Sequence, residues 1–137
     1  MNKNTKKKIL IAAGIYNLIW GAYVVLMPTS FFKLLDMPAP LYIELWQCIG
    51  MIVGVYGIGY IASSVDSNKH WPIILVGLLG KIFGPIGFAG SLITGKLPLK
   101  FGCTIITNDL IWWLPFFLIL KEAWDKGMKE DINEIFK

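Results

Sequence analysis

Two ionisable residues interrupt stretches of this 137-residue chain that are otherwise almost wholly apolar: Lys81 in "WPIILVGLLGKIFGPIGFAGSLIT" and Asp109 in "FGCTIITNDLIWWLPFFLIL". A lysine in apolar surroundings can bind negative charge or exchange a proton, and a carboxylate nearby keeps it charged and ordered. Asn108, beside Asp109, and Asn17, in an earlier apolar run, carry amides able to orient such a pair or its ligand. Pro85 lies four residues after Lys81 and cannot donate to the Lys81 carbonyl, which leaves a polar oxygen beside the ammonium. Glu44 and Gln47, about one helical turn apart, read as a polar track leading in from the outer side. The alternative is a purely structural ion pair with asparagine glue. Apolar replacements of buried pairs are often as stable, so retained charge favours function over scaffolding.

The elements that must position these groups follow from composition. The chain is 55% apolar and only 16% charged, with a mean hydropathy of +0.61. A soluble domain is about 25% charged. The charges are clustered, and four apolar runs lie between them: 9–27, 41–62, 71–94 and 101–120. About 20 residues cross a hydrocarbon core, and lipid-exposed backbone must satisfy its own hydrogen bonds, so each run reads as a membrane-spanning helix. The expected fold is all-α: a four-helix transmembrane bundle over 9–120, a basic tail at 1–8, and an amphipathic tail helix within 121–137. Lysines of the N-terminal tail, the 63–70 loop and the C-terminal tail outnumber Lys33, Lys96 and Lys100, which places both termini in the cytoplasm. Lys81 is ten residues past Trp71, and Asp109 is eleven before Leu120. At 1.5 Å per residue both lie roughly 15 Å from the same face. A mid-bilayer charge costs about 2.5–3.5 kcal/mol on insertion scales. Two such costs at one depth on neighbouring antiparallel helices are explained by direct pairing.

Small residues recur at intervals of three and four in three of the runs. Gly77, Gly80, Gly84, Gly87 and Ser91 form one stripe, Gly50, Gly54 and Gly57 a second, and Gly14, Asn17 and Gly21 a third. Lipid supplies no hydrophobic drive between helices, so such stripes let backbones pack closely; they can equally leave room for a ligand. A homodimer through a spare seam also fits. "SFFKLLDM" after Pro28 alternates apolar and polar residues and reads as an interfacial segment. In the tail, Trp124, Met128, Ile132 and Phe136 fall four apart, giving one apolar face at the membrane surface, although Gly127 weakens that helix. One His and two separated cysteines, Cys48 and Cys103, offer no metal-ligand cluster and no CxxC redox pair. All 13 basic residues are lysine, and their placement sets orientation instead of forming a nucleic-acid footprint.

The stretches "ELWQCIGMIVGVYGIGY", "HWPIILVGLLGKIFGPIGF" and "TNDLIWWLPF" resemble a family of small bacterial four-helix membrane proteins without an established activity, some of them labelled alkyl hydroperoxide reductase, and more loosely DoxX-like membrane proteins. The resemblance runs from about Tyr16 to Leu120. It implies a four-span fold and implicates Glu44, Gln47, His70, Lys81, Asn108 and Asp109; it supplies no mechanism. The peroxidase label lacks an activated, accessible thiolate here, since both cysteines lie in apolar runs. The leading expectation is an inner-membrane protein that binds or translocates a small polar or anionic solute at Lys81 and Asp109, without cofactor or metal. The alternative is a membrane subunit supporting a redox or envelope partner protein. An enzyme is the weakest reading, because one Lys and one Asp make no recognisable catalytic constellation. The expected partners are the lipid bilayer, a second copy or a membrane protein, and not nucleic acid. The topology is directly testable. Cysteines placed at 33 and 96 should react with an impermeant thiol reagent in intact cells, and cysteines at 3 and 137 should not.

Overall fold

The computed structural model of the protein describes residues 1–135, in which helices joined by short turns are the only regular secondary structure. The helices are α1 (Lys3–Leu26), α2 (Ser30–Leu34), α3 (Ile43–Ser63), α4 (Trp71–Ile93), α5 (Cys103–Ile105), α6 (Ile111–Ala123) and α7 (Lys129–Ile135). A 3₁₀ turn at Leu99–Gly102 leads into α5; π turns at Ile106–Leu110 and Trp124–Met128 join α5 to α6 and α6 to α7. Four helical runs are long and apolar enough to cross a membrane: Lys3–Leu26, Ile43–Ser63, Trp71–Ile93 and Leu99–Ile135. Large apolar side chains such as Ile19, Ile58, Phe83 and Leu114 point outward, as expected of a bundle whose solvent is hydrocarbon.

The tightest seam joins α1 to α3. A methyl at Gly14 would meet the Gly57 carbonyl at 2.7 Å, and one at Gly21 would meet the Gly50 carbonyl at 2.5 Å. The matched pairs show that the helices run antiparallel with backbone against backbone. Asn17 sits on the same face, beside Gly57. The α4 stripe behaves differently from the helix-packing role expected for it. Gly77 makes room for the Tyr60 ring, Gly84 faces the Asp109 carboxylate, and methyls at Gly80 and Gly87 would touch nothing within 4 Å. The reason is the side of α4 that the stripe occupies. It faces large side chains and open space, and no second backbone.

Both ends of the bundle are closed by contacts distant in sequence. At one end α1 starts at Lys3, capped by the Asn2 side chain, so the helix includes the basic segment expected as a tail. Lys6 is only 4% exposed, and its Nζ donates to Glu122 at 2.9 Å and to Asn68 at 3.3 Å. Lys126 adds a 2.6 Å contact to the same carboxylate. The Trp71 indole donates to Asp131 at 3.0 Å, tying α7 to the start of α4. The continuous apolar face expected of the tail does not form. Gly127, at φ 128°, breaks the helix, burying Met128 while leaving Trp124 exposed; Phe136 lies outside the described residues. At the other end α2 tucks Phe31 and Phe32 under the bundle, where Phe31 stacks on Trp46 at 5.7 Å and meets Trp20 edge-on at 5.6 Å. The 30–37 segment thus anchors to the bundle through its two phenylalanine rings, with Lys33 and Leu34 exposed.

The seam and the closed end each make a measurable difference. Gly57→Ala should cost about 1–3 kcal/mol by overpacking the seam, whereas Gly80→Ala should be neutral or slightly stabilising, as an alanine is in an uncrowded helix; thermal unfolding in detergent checks both. Hydrogen bonds from Lys126, Lys6 and the amino terminus hold the Glu122 carboxyl well below its ordinary 4.5, at about 2. A depressed carboxylate stabilises the fold above its unfolded pKa, and that stability is lost as pH falls through the folded one. Unfolding midpoints should therefore drop between about pH 4.5 and pH 2, and Glu122→Gln should flatten that slope.

Candidate functional site

Midway along the helices lies a cavity of about 190 Å³. Its polar wall is Asn17 from α1, Lys81 from α4, and Asn108 and Asp109 from the π turn; Tyr56 and Tyr60 of α3 complete it. Gly77 and Gly80 line it on α4; the Tyr60 ring occupies the place of a side chain at Gly77, and the space at Gly80 is open. Asn17, Lys81 and Asp109 are all at least nine-tenths buried, at 3%, 4% and 5% exposure.

Lys81 and Asp109 share the cavity but make no direct ion pair, contrary to the expectation from depth alone. The Lys81 ammonium instead donates to the backbone carbonyl of Asn108 at 2.5 Å. The π turn explains this. A π turn spreads its hydrogen bonds over five residues, which misaligns carbonyls with the next helix and lets one accept from a neighbouring helix. The Asp109 carboxylate turns toward Gly84, and its Oδ1 accepts from the Asn108 amide at 3.1 Å. Asn108 thus stands between the two charges, bonded to one through its backbone and to the other through its side chain. The ammonium also lies 5.9 Å from the Tyr60 ring centroid and 6.0 Å from that of Trp112, at the limit of cation–π attraction.

The Lys81 carbonyl freed by Pro85 is not left for the ammonium. The Trp113 indole donates to it at 2.9 Å, bridging α6 to α4. Two amide oxygens at the cavity remain without a partner among the described residues: Oδ1 of Asn17 and Oδ1 of Asn108, both buried. A buried polar atom of this kind costs about 1–3 kcal/mol; the Trp46 and Trp112 indole nitrogens, outside this lining, are likewise unpartnered among the described residues.

Glu44 and Gln47 are not brought to this cavity. Glu44 is exposed, and Gln47 donates to the Val25 carbonyl at 2.8 Å, closing the last turn of α1. The expected polar track therefore does not form, because Gln47 is consumed by a helix end. His70 immediately precedes α4, makes no side-chain capping bond, and does not line the cavity. Cys48 and Cys103 are free and exposed on the outer surface of the bundle. Sequence reasoning overlooked Tyr56 and Tyr60. Their spacing of four put both on one face of α3, and the bare Gly77 of the next helix was the signal that a ring would fill the gap. Family models, curated proteins and solved structures offer no match to this chain.

The Pro85–Trp113 arrangement is testable by a double-mutant cycle. Trp113→Phe should cost about 1 kcal/mol, the worth of one internal hydrogen bond. In a Pro85→Ala background the restored N–H competes for the Lys81 carbonyl, and the same change should cost little. Equal costs in both backgrounds would count against the bridge.

Proposed function

We propose that this protein binds or translocates a small polar or anionic solute at Lys81, within a four-span bundle of the cytoplasmic membrane that has both termini in the cytoplasm. The supporting observation is the cavity between an ammonium and a carboxylate that do not neutralise each other by contact, with two unpartnered amide oxygens beside them. A solute carrying both an acceptor and a donor fits this wall. Its acceptor takes a proton of Lys81; its donor meets Asn17, Asn108 or Asp109. Tyr60 and Trp112 hold the ammonium in place from the side, and the Asn108 carbonyl fixes its direction. Asp109 keeps the site near neutrality, which lowers the cost of holding a cation in hydrocarbon.

Two variants separate this reading from scaffolding. Gly80→Leu fills the cavity without meeting a neighbour at its first carbon. Lys81→Met removes the charge. Both should leave a folded protein that fails to restore uptake in cells lacking the gene, assayed with a panel of labelled small organic and inorganic anions. Full restoration by both variants would leave the cavity as structure only. Stoichiometric co-purification of a second membrane protein, together with restored uptake, would point instead to a supporting subunit.

A further inference from the structure

A second polar cavity, of about 230 Å³, lies at the end of the bundle where α1 begins, the 64–70 turn passes and α6 ends. Four lysines line it: Lys3, Lys6, Lys7 and Lys126, against two carboxylates, Asp66 and Glu122. With the Met1 amino group, which donates to Glu122 at 3.0 Å, five positive charges less two negative leave a net charge of three. Both carboxylates are already engaged. Glu122 accepts from Lys6 and Lys126, and Asp66 accepts the backbone amides of Asn68 and Lys69, which also hold its carboxyl below the ordinary range. Among the described residues, Lys3 and Lys7 form no ion pair. The start of α1, with its positive dipole end, adds to the same field.

We infer that this cavity is a binding site for the headgroup phosphate of an acidic phospholipid. The cavity wall offers what a phosphodiester needs. Lys3 and Lys7 supply uncommitted ammoniums. The hydroxyls of Ser64 and Ser67, residues 8% and 7% exposed, supply donors from inside. Val65 decides between a lipid and a free anion. It lines the same cavity with 72% of its surface exposed, a surface of use to an acyl or glycerol moiety and of none to a bare phosphate. Two tryptophans flank these lining residues in sequence, Trp71 just after the 64–70 turn and Trp124 between Glu122 and Lys126, and tryptophan is enriched at the headgroup level of a bilayer. Basic pockets between spanning helices at a membrane face take such headgroups.

The test uses the full chain purified in mild detergent, with dioleoyl phosphatidylglycerol and dioleoyl phosphatidylcholine as probes in native mass spectrometry. The expected result is preferential retention of phosphatidylglycerol. Lys3→Ala with Lys7→Ala, both exposed positions, should weaken that binding about thirty-fold. The matched control, Lys33→Ala with Lys96→Ala at the other end, should not change it. Equal retention of the two lipids overturns the proposal, as does an equal loss in the control, which would mean diffuse charge and no site. Displacement of phosphatidylglycerol by millimolar inorganic phosphate would reassign the cavity to a free anion and overturn the lipid. An unchanged melting temperature of the lipid-free double variant excludes misfolding as the cause.

Discussion

Hydrocarbon offers no hydrogen bonds, so a polar group that enters it must bring its partner along. Most of this structure can be read as a response to that constraint. Helices satisfy their own backbones, and where they cannot, a side chain from elsewhere intervenes. Trp113 takes the carbonyl that Pro85 abandons, Lys81 takes one turned outward by the π turn, and Gln47 takes one at the end of α1. Each of these bonds crosses between helices. Departures from regular helix are therefore what tie the bundle together laterally, in addition to the close contact of α1 with α3.

The constraint also makes the exceptions informative. Asn17 and Asn108 present buried oxygens without partners among the described residues, at a place where Gly80 of α4 faces space instead of a side chain. Small residues thus do two jobs. On α1 and α3 they bring backbones together; on α4 Gly77 admits the Tyr60 ring while Gly80 borders open space. Apolar replacements of buried charges are often as stable, so stability alone does not require either charge.

Much of this was legible from sequence, and the limits have physical causes. The four apolar helices follow from composition, because a span is defined by length and hydropathy alone. The gathering of Asn17, Lys81, Asn108 and Asp109 came from depth, since rise per residue is nearly constant along a helix. Depth says nothing of azimuth. A π turn over Ile106–Leu110 rotates α6 relative to α5, so the bond made by Lys81 went to a backbone carbonyl and not to the neighbouring carboxylate. Contacts such as that of Lys6 with Glu122, 116 residues apart, had no local signature at all. The break at Gly127 did have one, in the glycine itself.

The α1–α3 contact has a mechanical side. Its glycines are matched in register, so a slip of one turn in either direction would drive the side chains of Ile61 or Val24 into the opposing backbone. These two helices are therefore held in one register. Across the gap, α4 meets α3 through a Tyr60 ring lodged on Gly77 and through open space at Gly80, contacts that allow tilting without a steric collision. The polar cavity lies between these two kinds of contact, lined by Asn17 of α1, Tyr56 and Tyr60 of α3 and Lys81 of α4.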